Sequence, residues 1–297
     1  MLLLDLENGP LKCRVAPEMG GSIYSFDYKA GQKIQPLMRP AWGEDAHLIT
    51  DFASWPLVPF SNRILHGKFR FGGKDYRVPV TWLGYPHASH GHGWERPWRV
   101  ERHDETRCDL SFAFDDEIAW PFPYKAEQNF SLSENALDLR LSLVNSGDKP
   151  MPAGLGHHPY FPKPPGTTLQ AKIGGLWEVD KDVIPTRRIP VPPRYDFSSP
   201  KALDDAELDH CFDGYEGLME IVWPGRPVTL RVSSSENLRH WVVYTPAGKD
   251  FFCAEPVSHM PDAVNRMDAM ETGLQILQPG QSLTADYRFE IAVIKPE

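Results

Sequence analysis

Nowhere in the 297 residues is there an apolar run of the ~18 that a membrane-crossing helix needs. Clusters of Lys and Arg are missing as well, and the formal net charge is −9. Neither a membrane nor a nucleic acid is therefore an expected partner. Cysteine is scarce: Cys13, Cys108, Cys211 and Cys253 lie far apart and form no Cys-x-x-Cys pair. That excludes a disulfide framework as the expectation and favours reduced thiols. The opening "MLLLDLENG" has too short an apolar stretch and no basic residue for a secretion signal. Together these absences predict a cytoplasmic protein. Room for long helices is also lacking, because 29 prolines and 23 glycines are spread almost evenly along the chain.

What is there is period-two alternation. In "ALDLRLSLVN" (136–145), Leu137, Leu139, Leu141 and Leu143 share one face while Asp138, Arg140 and Ser142 share the other. "CDLSFAF" (108–114), "VTLRVSS" (228–234) and "YRFEIAVI" (287–294) repeat the pattern, and "GKFRFGGKDYRVP" (67–79) predicts two strands joined by a Gly-Gly turn. Many strand-like runs at short spacing predict an all-β sandwich or barrel. Only short pieces such as 44–53 and 200–208 suit helix. The Pro-rich stretch 187–200 is expected to be a long surface loop rather than a linker, so 1–297 reads as one domain.

Several stretches carry polar groups that a sheet has no structural need for. Asn62 and Arg63 sit among apolar residues in "VPFSNRILHGKF". "PHASHGHGWERPW" holds His87, His90, His92 and Glu95, and "AGLGHHPYFPK" sets His157 beside His158 among Gly, Pro and aromatics. Glu255 follows the apolar run 251–254, and Asp209 precedes an aromatic and a Cys in "ELDHCF". A carboxylate set in an apolar run needs a partner or a task. Three readings compete: satisfied core histidines, a His-x-His…Glu metal cluster of the cupin kind, and proton transfer by a Glu–His pair. Histidine, Glu, Arg and Asp within an aromatic-rich β domain suit a neutral polyhydroxylated ligand, with Trp and Phe packing on the C–H side of a sugar ring.

Taken in order, "VAPEMGGSI", "PLVPFSNRI", "GKFRFGGKDY", "SHGHGWERPW", "MPAGLGHHPYF", "LDHCF", "AEPVSHMPDAVN" and "LQPGQSLTADYRFEI" resemble the aldose 1-epimerases, or galactose mutarotases, over nearly the whole chain. The resemblance implies a large twisted antiparallel β-sandwich with few short helices. It also implies cofactor-independent and metal-free interconversion of the α and β anomers of an aldose, by a monomer or homodimer. Through the matching motifs, Glu255 would be the general base on the anomeric hydroxyl and His158 the acid at the ring oxygen. His90 would be the second active-site histidine, near the ring oxygen. Arg63, with Asn62 beside it, and Asp209 would contact sugar hydroxyls. His157 would then be a structural neighbour, with no role assigned to His87 or His92.

The sequence departs from the best-known mutarotases around both key residues, with "CAEPVSHMPDA" at Glu255 and "LGHHPYF" at His158. That leaves the sugar open. A hexose 6-phosphate 1-epimerase is one alternative, for which Arg96, Lys163, Lys249 or Arg266 would supply a phosphate clamp. A sugar-binding protein without catalysis is another.

Overall fold

The computed structural model describes residues 1–41, 48–80, 85–266 and 272–294. Two large antiparallel sheets face each other. In chain-neighbour order, one contains Arg99–His103, Arg107–Phe114, Tyr124–Leu132, Ala136–Asn145, Ser282–Val293, Val228–Ser234, Leu218–Val222, Thr168–Ala171 and Lys201–Ala202. The other contains Pro185–Ile189, Gly175–Val179, Leu208–Asp213, His240–Thr245, Phe251–Val257, Gly156–His157 and Pro56–Leu57, with Tyr160–Pro162 also paired to Phe251–Val257. A four-stranded sheet, from Leu4–Asn8 to Lys33–Pro36, packs alongside.

The alternating segments behave as their patterns require. Leu137, Leu139, Leu141 and Leu143 are buried, and Asp138 and Arg140 point outward, where they pair with Arg288 and Asp286 of the neighbouring strand. Burying such a side chain is worth ~1.5–3 kcal/mol, so rows of this kind hold the sandwich closed. The Gly72–Gly73 pair has φ of 55° and 79°, the left-handed values that a two-residue hairpin turn demands. It joins Lys68–Phe71 to Lys74–Arg77.

The strands beneath the candidate site break the alternation. Phe251–Val257 is buried throughout. Phe252 and Ala254 face the main core, while Phe251, Cys253 and Val257 belong to a second apolar cluster on the opposite face, with Trp55, Trp94, Trp177, Cys211 and Val242. A strand covered on both faces reads as a continuous apolar run, and period two is lost.

The two short helix expectations fare poorly. Residues 44–47 lie outside the described residues, and the rest of that piece contains only the 3₁₀ turn Ile49–Asp51. The piece 200–208 is not a helix: Lys201–Ala202 pairs with Thr168–Ala171 at the sheet edge, and Leu208 begins a strand. There, sheet pairing overrides local propensity. The stretch 187–200 is loop only in part, because Arg187, Arg188 and Ile189 complete the edge strand Pro185–Ile189. No described helix is long and apolar enough to cross a membrane.

Candidate active site

The six residues to which the family resemblance gives site roles, Asn62, Arg63, His90, His158, Asp209 and Glu255, all line one cavity of about 350 Å³, whereas His87, His92, Glu95 and His157 do not. Among the described residues three hollows are larger, of about 460, 600 and 670 Å³. In them Arg140 pairs with Asp286, Arg288 with Asp138, Arg188 with Asp213 and Arg96 with Asp116. The smaller cavity is where buried titratable groups converge.

The sheet supplies its floor. Register places Asp209 opposite Tyr244 and Tyr244 opposite Cys253. One row along, Cys211 faces Val242 and Val242 faces Glu255. Successive side chains alternate faces, so Asp209, Val242, Tyr244 and Glu255 all look the same way. The broken segment 151–162 supplies a wall. Its Gly and Pro residues divide it into the short strands Met151–Ala153, Gly156–His157 and Tyr160–Pro162. In extended chain the two histidines point apart. His157 is fully buried away from the cavity, where Nε2–H donates to Gln128 Oε1 at 3.1 Å and Nδ1 accepts from the Ser54 hydroxyl. His158 turns to the cavity and stacks on Trp55 (ring centroids 4.5 Å) and Tyr160 (4.8 Å). Its Nε2 lies 3.5 Å from Glu255 Oε1.

A second loop brings the remaining groups. Asn62 and His90 both adopt left-handed backbone, with φ of 57° and 66°. His90 N–H donates to the Asn62 carbonyl at 2.8 Å, and Asn62 N–H donates to His90 Nδ1 at 3.2 Å. Burial, with the Arg63 charge nearby, pushes His90 down to about 3, so the ring is neutral. With Nδ1 occupied as an acceptor, the ring proton sits on Nε2. Asn62 Oδ1 accepts from both N–H and Nη1 of Arg63, whose Nη2 reaches Tyr85 OH at 3.0 Å and Asp209 Oδ2 at 3.2 Å.

The segment following Glu255 locks this loop in place. His259 Nε2 accepts from Ser61 N–H (3.1 Å) while Nδ1–H donates to the Met260 carbonyl (2.7 Å). Asp262 N–H donates to the Arg63 carbonyl, and its carboxylate accepts from Leu65 N–H. The "SHMPDA" stretch is thus the strap that holds Arg63 over Glu255.

Gly91 shows how tightly the loop fits. Its φ is +68°, and a Cβ there would stand 2.2 Å from the Val58 carbonyl oxygen. That carbonyl is itself held by N–H groups of His92 and Gly93, so it cannot retreat. Gly91→Ala is expected to cost about 2–4 kcal/mol in urea unfolding, as backbone strain plus overpacking. Gly72→Ala, where a Cβ meets nothing, should cost only the strain, about 1–2 kcal/mol. Equal losses would refute the tight fit.

Glu255 is 1% exposed. Burial, reinforced by Asp209, pushes its carboxyl well above the usual range, despite the opposing Arg63 charge. Burial and the neighbouring His90 push His158 well below the ordinary imidazole value. Both shifts favour the neutral form of each group, so the pair is biased toward sharing a single ionisable proton. Glu255 Oε2 and His158 Nδ1 are buried without a hydrogen-bond partner among the described residues.

The cupin-like cluster does not assemble. His92 is buried against Phe114 (centroids 4.7 Å, planes 8° apart) and contacts Ala119 O and Glu95, whereas His90 faces the cavity. His87 is fully buried and accepts His66 N–H. Sequence reasoning missed Tyr85, Ser89, Tyr160, Val242 and Tyr244, which also line the cavity. Of these only Tyr160 had a local signal, as part of the His-Pro-Tyr-Phe run.

Residues 3–290 match the family described as aldose 1-epimerase. YphB, an uncharacterized protein of Escherichia coli K12, is 30% identical across 98% of this chain and 99% of its own. The crystal structure of a candidate aldose 1-epimerase from the same organism has a TM-score of 0.89 at 28% identity, covering 99% of both chains. A galactose mutarotase-like protein from Clostridium acetobutylicum gives 0.87 over 98% of this chain and 95% of that one, and at 19% identity it speaks for the fold alone.

Proposed function

The chain belongs to the aldose 1-epimerase family, and from that premise we propose that it interconverts the α and β anomers of an unphosphorylated aldose. The observation that carries this is the buried Glu255–His158 contact of 3.5 Å, made inside a cavity whose other polar groups are hydrogen-bonding residues.

Mutarotation asks for one proton to leave the C1 hydroxyl while another reaches the ring oxygen. A pair that shares one proton meets both needs and returns to its starting state. With the shared proton moved onto His158, the Glu255 carboxylate accepts the C1 hydroxyl proton, the His158 imidazolium delivers its proton to the ring oxygen, and the C1–O5 bond opens to the aldehyde, leaving both groups neutral. Rotation about C1–C2 presents the other carbonyl face, and reclosure with the roles reversed gives the other anomer. Neutral His90, with its proton on Nε2, is a fixed donor for negative charge gathering on the sugar oxygen. Arg63, Asp209 and Asn62 hold hydroxyls.

Arg63 is the single Lys or Arg among the residues lining the cavity, and it is already engaged by Asp209 and Tyr85. Arg96, Lys163, Lys249 and Arg266 do not line it, and Arg96 pairs with Asp116. A phosphate dianion would lack a clamp, which favours free sugars over hexose 6-phosphates. We further take residues 1–297 as one domain, supported by a single core cluster running from Leu4 to Ile291. Four buried free thiols accord with a reducing cytoplasm.

Magnetisation transfer between the α and β C1–H signals of glucose, galactose, arabinose and glucose 6-phosphate tests the reading. Acceleration for a free sugar supports it, acceleration for the phosphate alone redirects it, and silence on all of them sinks it. Arg63→Lys should raise KM by roughly 10–100-fold, because a charge-assisted bond is worth ~1.5–3 kcal/mol and the planar fork is lost. An unchanged KM would remove Arg63 from sugar binding.

A further inference from the structure

We propose that Zn²⁺ binds between His158, Cys253 and Glu255 and switches the site off; the inhibition, though not the binding, rests on the function proposed above. Cys253 precedes Glu255 by two residues on Phe251–Val257, so both side chains leave the same face of the strand. The ligating atoms of the three residues lie within 4.8 Å of one another, and all three residues are buried. Around tetrahedral zinc, N, S and O ligands stand about 3.4–3.6 Å apart. His158 Nε2 and Glu255 Oε1 are already at 3.5 Å, so the thiol has only to close the remainder by side-chain rotation. The second carboxylate oxygen, Oε2, is buried with no hydrogen-bond partner among the described residues.

The charges balance. Glu255 and Cys253 are both buried, away from any solvent that could neutralise a new charge. When zinc enters, the carboxyl and the thiol each release one proton to solvent, so the dication replaces two protons and the pocket's net charge does not change. That removes the main objection to buried anions. A thiolate ligand selects a soft cation over Mg²⁺ or Ca²⁺. The fourth position faces the cavity, open to water or a sugar hydroxyl. Once bound, the metal occupies the lone pairs of both groups that move protons.

The test starts from chelator-treated protein, with Zn²⁺ titrated against a chromophoric chelator and anomer exchange followed in parallel. Cys253→Ala should exchange anomers at close to the wild-type rate without zinc. It should bind zinc more weakly by at least the ~10–100-fold that even an outer-shell change costs. Cys211→Ala is the control: its thiol lies one strand-row away, on the strand beyond Val242, and zinc affinity should be unaltered. Absence of one-to-one zinc binding by the wild type, or equal zinc affinity in Cys253→Ala, overturns the proposal and marks any bound metal as adventitious. Should Cys253→Ala fail to fold, Co²⁺ in the wild type decides: a thiolate-to-cobalt charge-transfer band supports the site, and its absence refutes it. Zinc binding without anomer exchange at any metal level would sink the mutarotase reading and leave the metal site standing.

Discussion

Glu255→Gln is expected to slow anomer exchange by about 10²–10⁴-fold, the contribution of one positioned proton-transfer group, while sugar binding persists. The substitution is unusually informative here. Glu255 is buried, and burial together with Asp209 biases its carboxyl toward the neutral form. A neutral amide of the same shape therefore replaces a neutral acid, and no buried charge is stranded. Stability should hold or rise slightly, so a loss of rate reports proton transfer and not collapse of the pocket. Exchange rates by NMR, with sugar affinity from tryptophan fluorescence, separate the two. A variant that still exchanges anomers at near the normal rate would remove Glu255 from the chemistry.

The second large effect concerns acid. His90 and His157 are pushed down to about 3, and His259 to about 4, chiefly by burial, and His158 is lowered as well. In the unfolded chain each imidazole protonates near 6.5. As pH falls below that value the unfolded state takes up four protons that the folded state refuses. A group whose folded pKa is depressed loses its stabilising contribution as pH falls, so these four make the fold acid-labile. Glu255 acts in the opposite sense, because its folded pKa is raised; four imidazoles less one carboxyl leaves three protons. Asp27 and Asp262, raised by burial, act against this, and His87 and His210, lowered by burial, act with it. Unfolding free energy should therefore fall by up to about 4 kcal/mol per pH unit near pH 5. Urea midpoints measured at about pH 7, 6 and 5, with chelator present, read this directly. A stability that does not change across that range would mean that the histidines are solvated or paired in ways the buried geometry does not allow.

Much of the architecture was legible in the sequence because it is local. The strand Ala136–Asn145 announces itself by alternating leucines, and the hairpin at Gly72–Gly73 by turn residues that tolerate positive φ. Glu255 stood out for a related reason: its strand is buried on both faces, so one carboxylate interrupts an otherwise apolar run. The family resemblance pointed to His158 rather than His157, which composition could not distinguish, since both are buried imidazoles in the same broken segment.

Other features depend on contacts that no local pattern encodes. Gln128 and Ser54 occupy His157, and Trp55 and Tyr160 stack on His158, so the chain's own neighbours decide which ring meets the cavity. Tyr85, Val242 and Tyr244 enter the site only because strand register and a distant loop bring them there. The sequence by itself determined which side chains could move a proton and that most of the chain would be strand, since residue type and period two are properties of short segments. Only the tertiary structure decided that Glu255 and His158, 97 positions apart in the chain, stand 3.5 Å from each other in a buried pocket. Burial at that separation sets their shared proton, and burial arises from the packing of many segments at once.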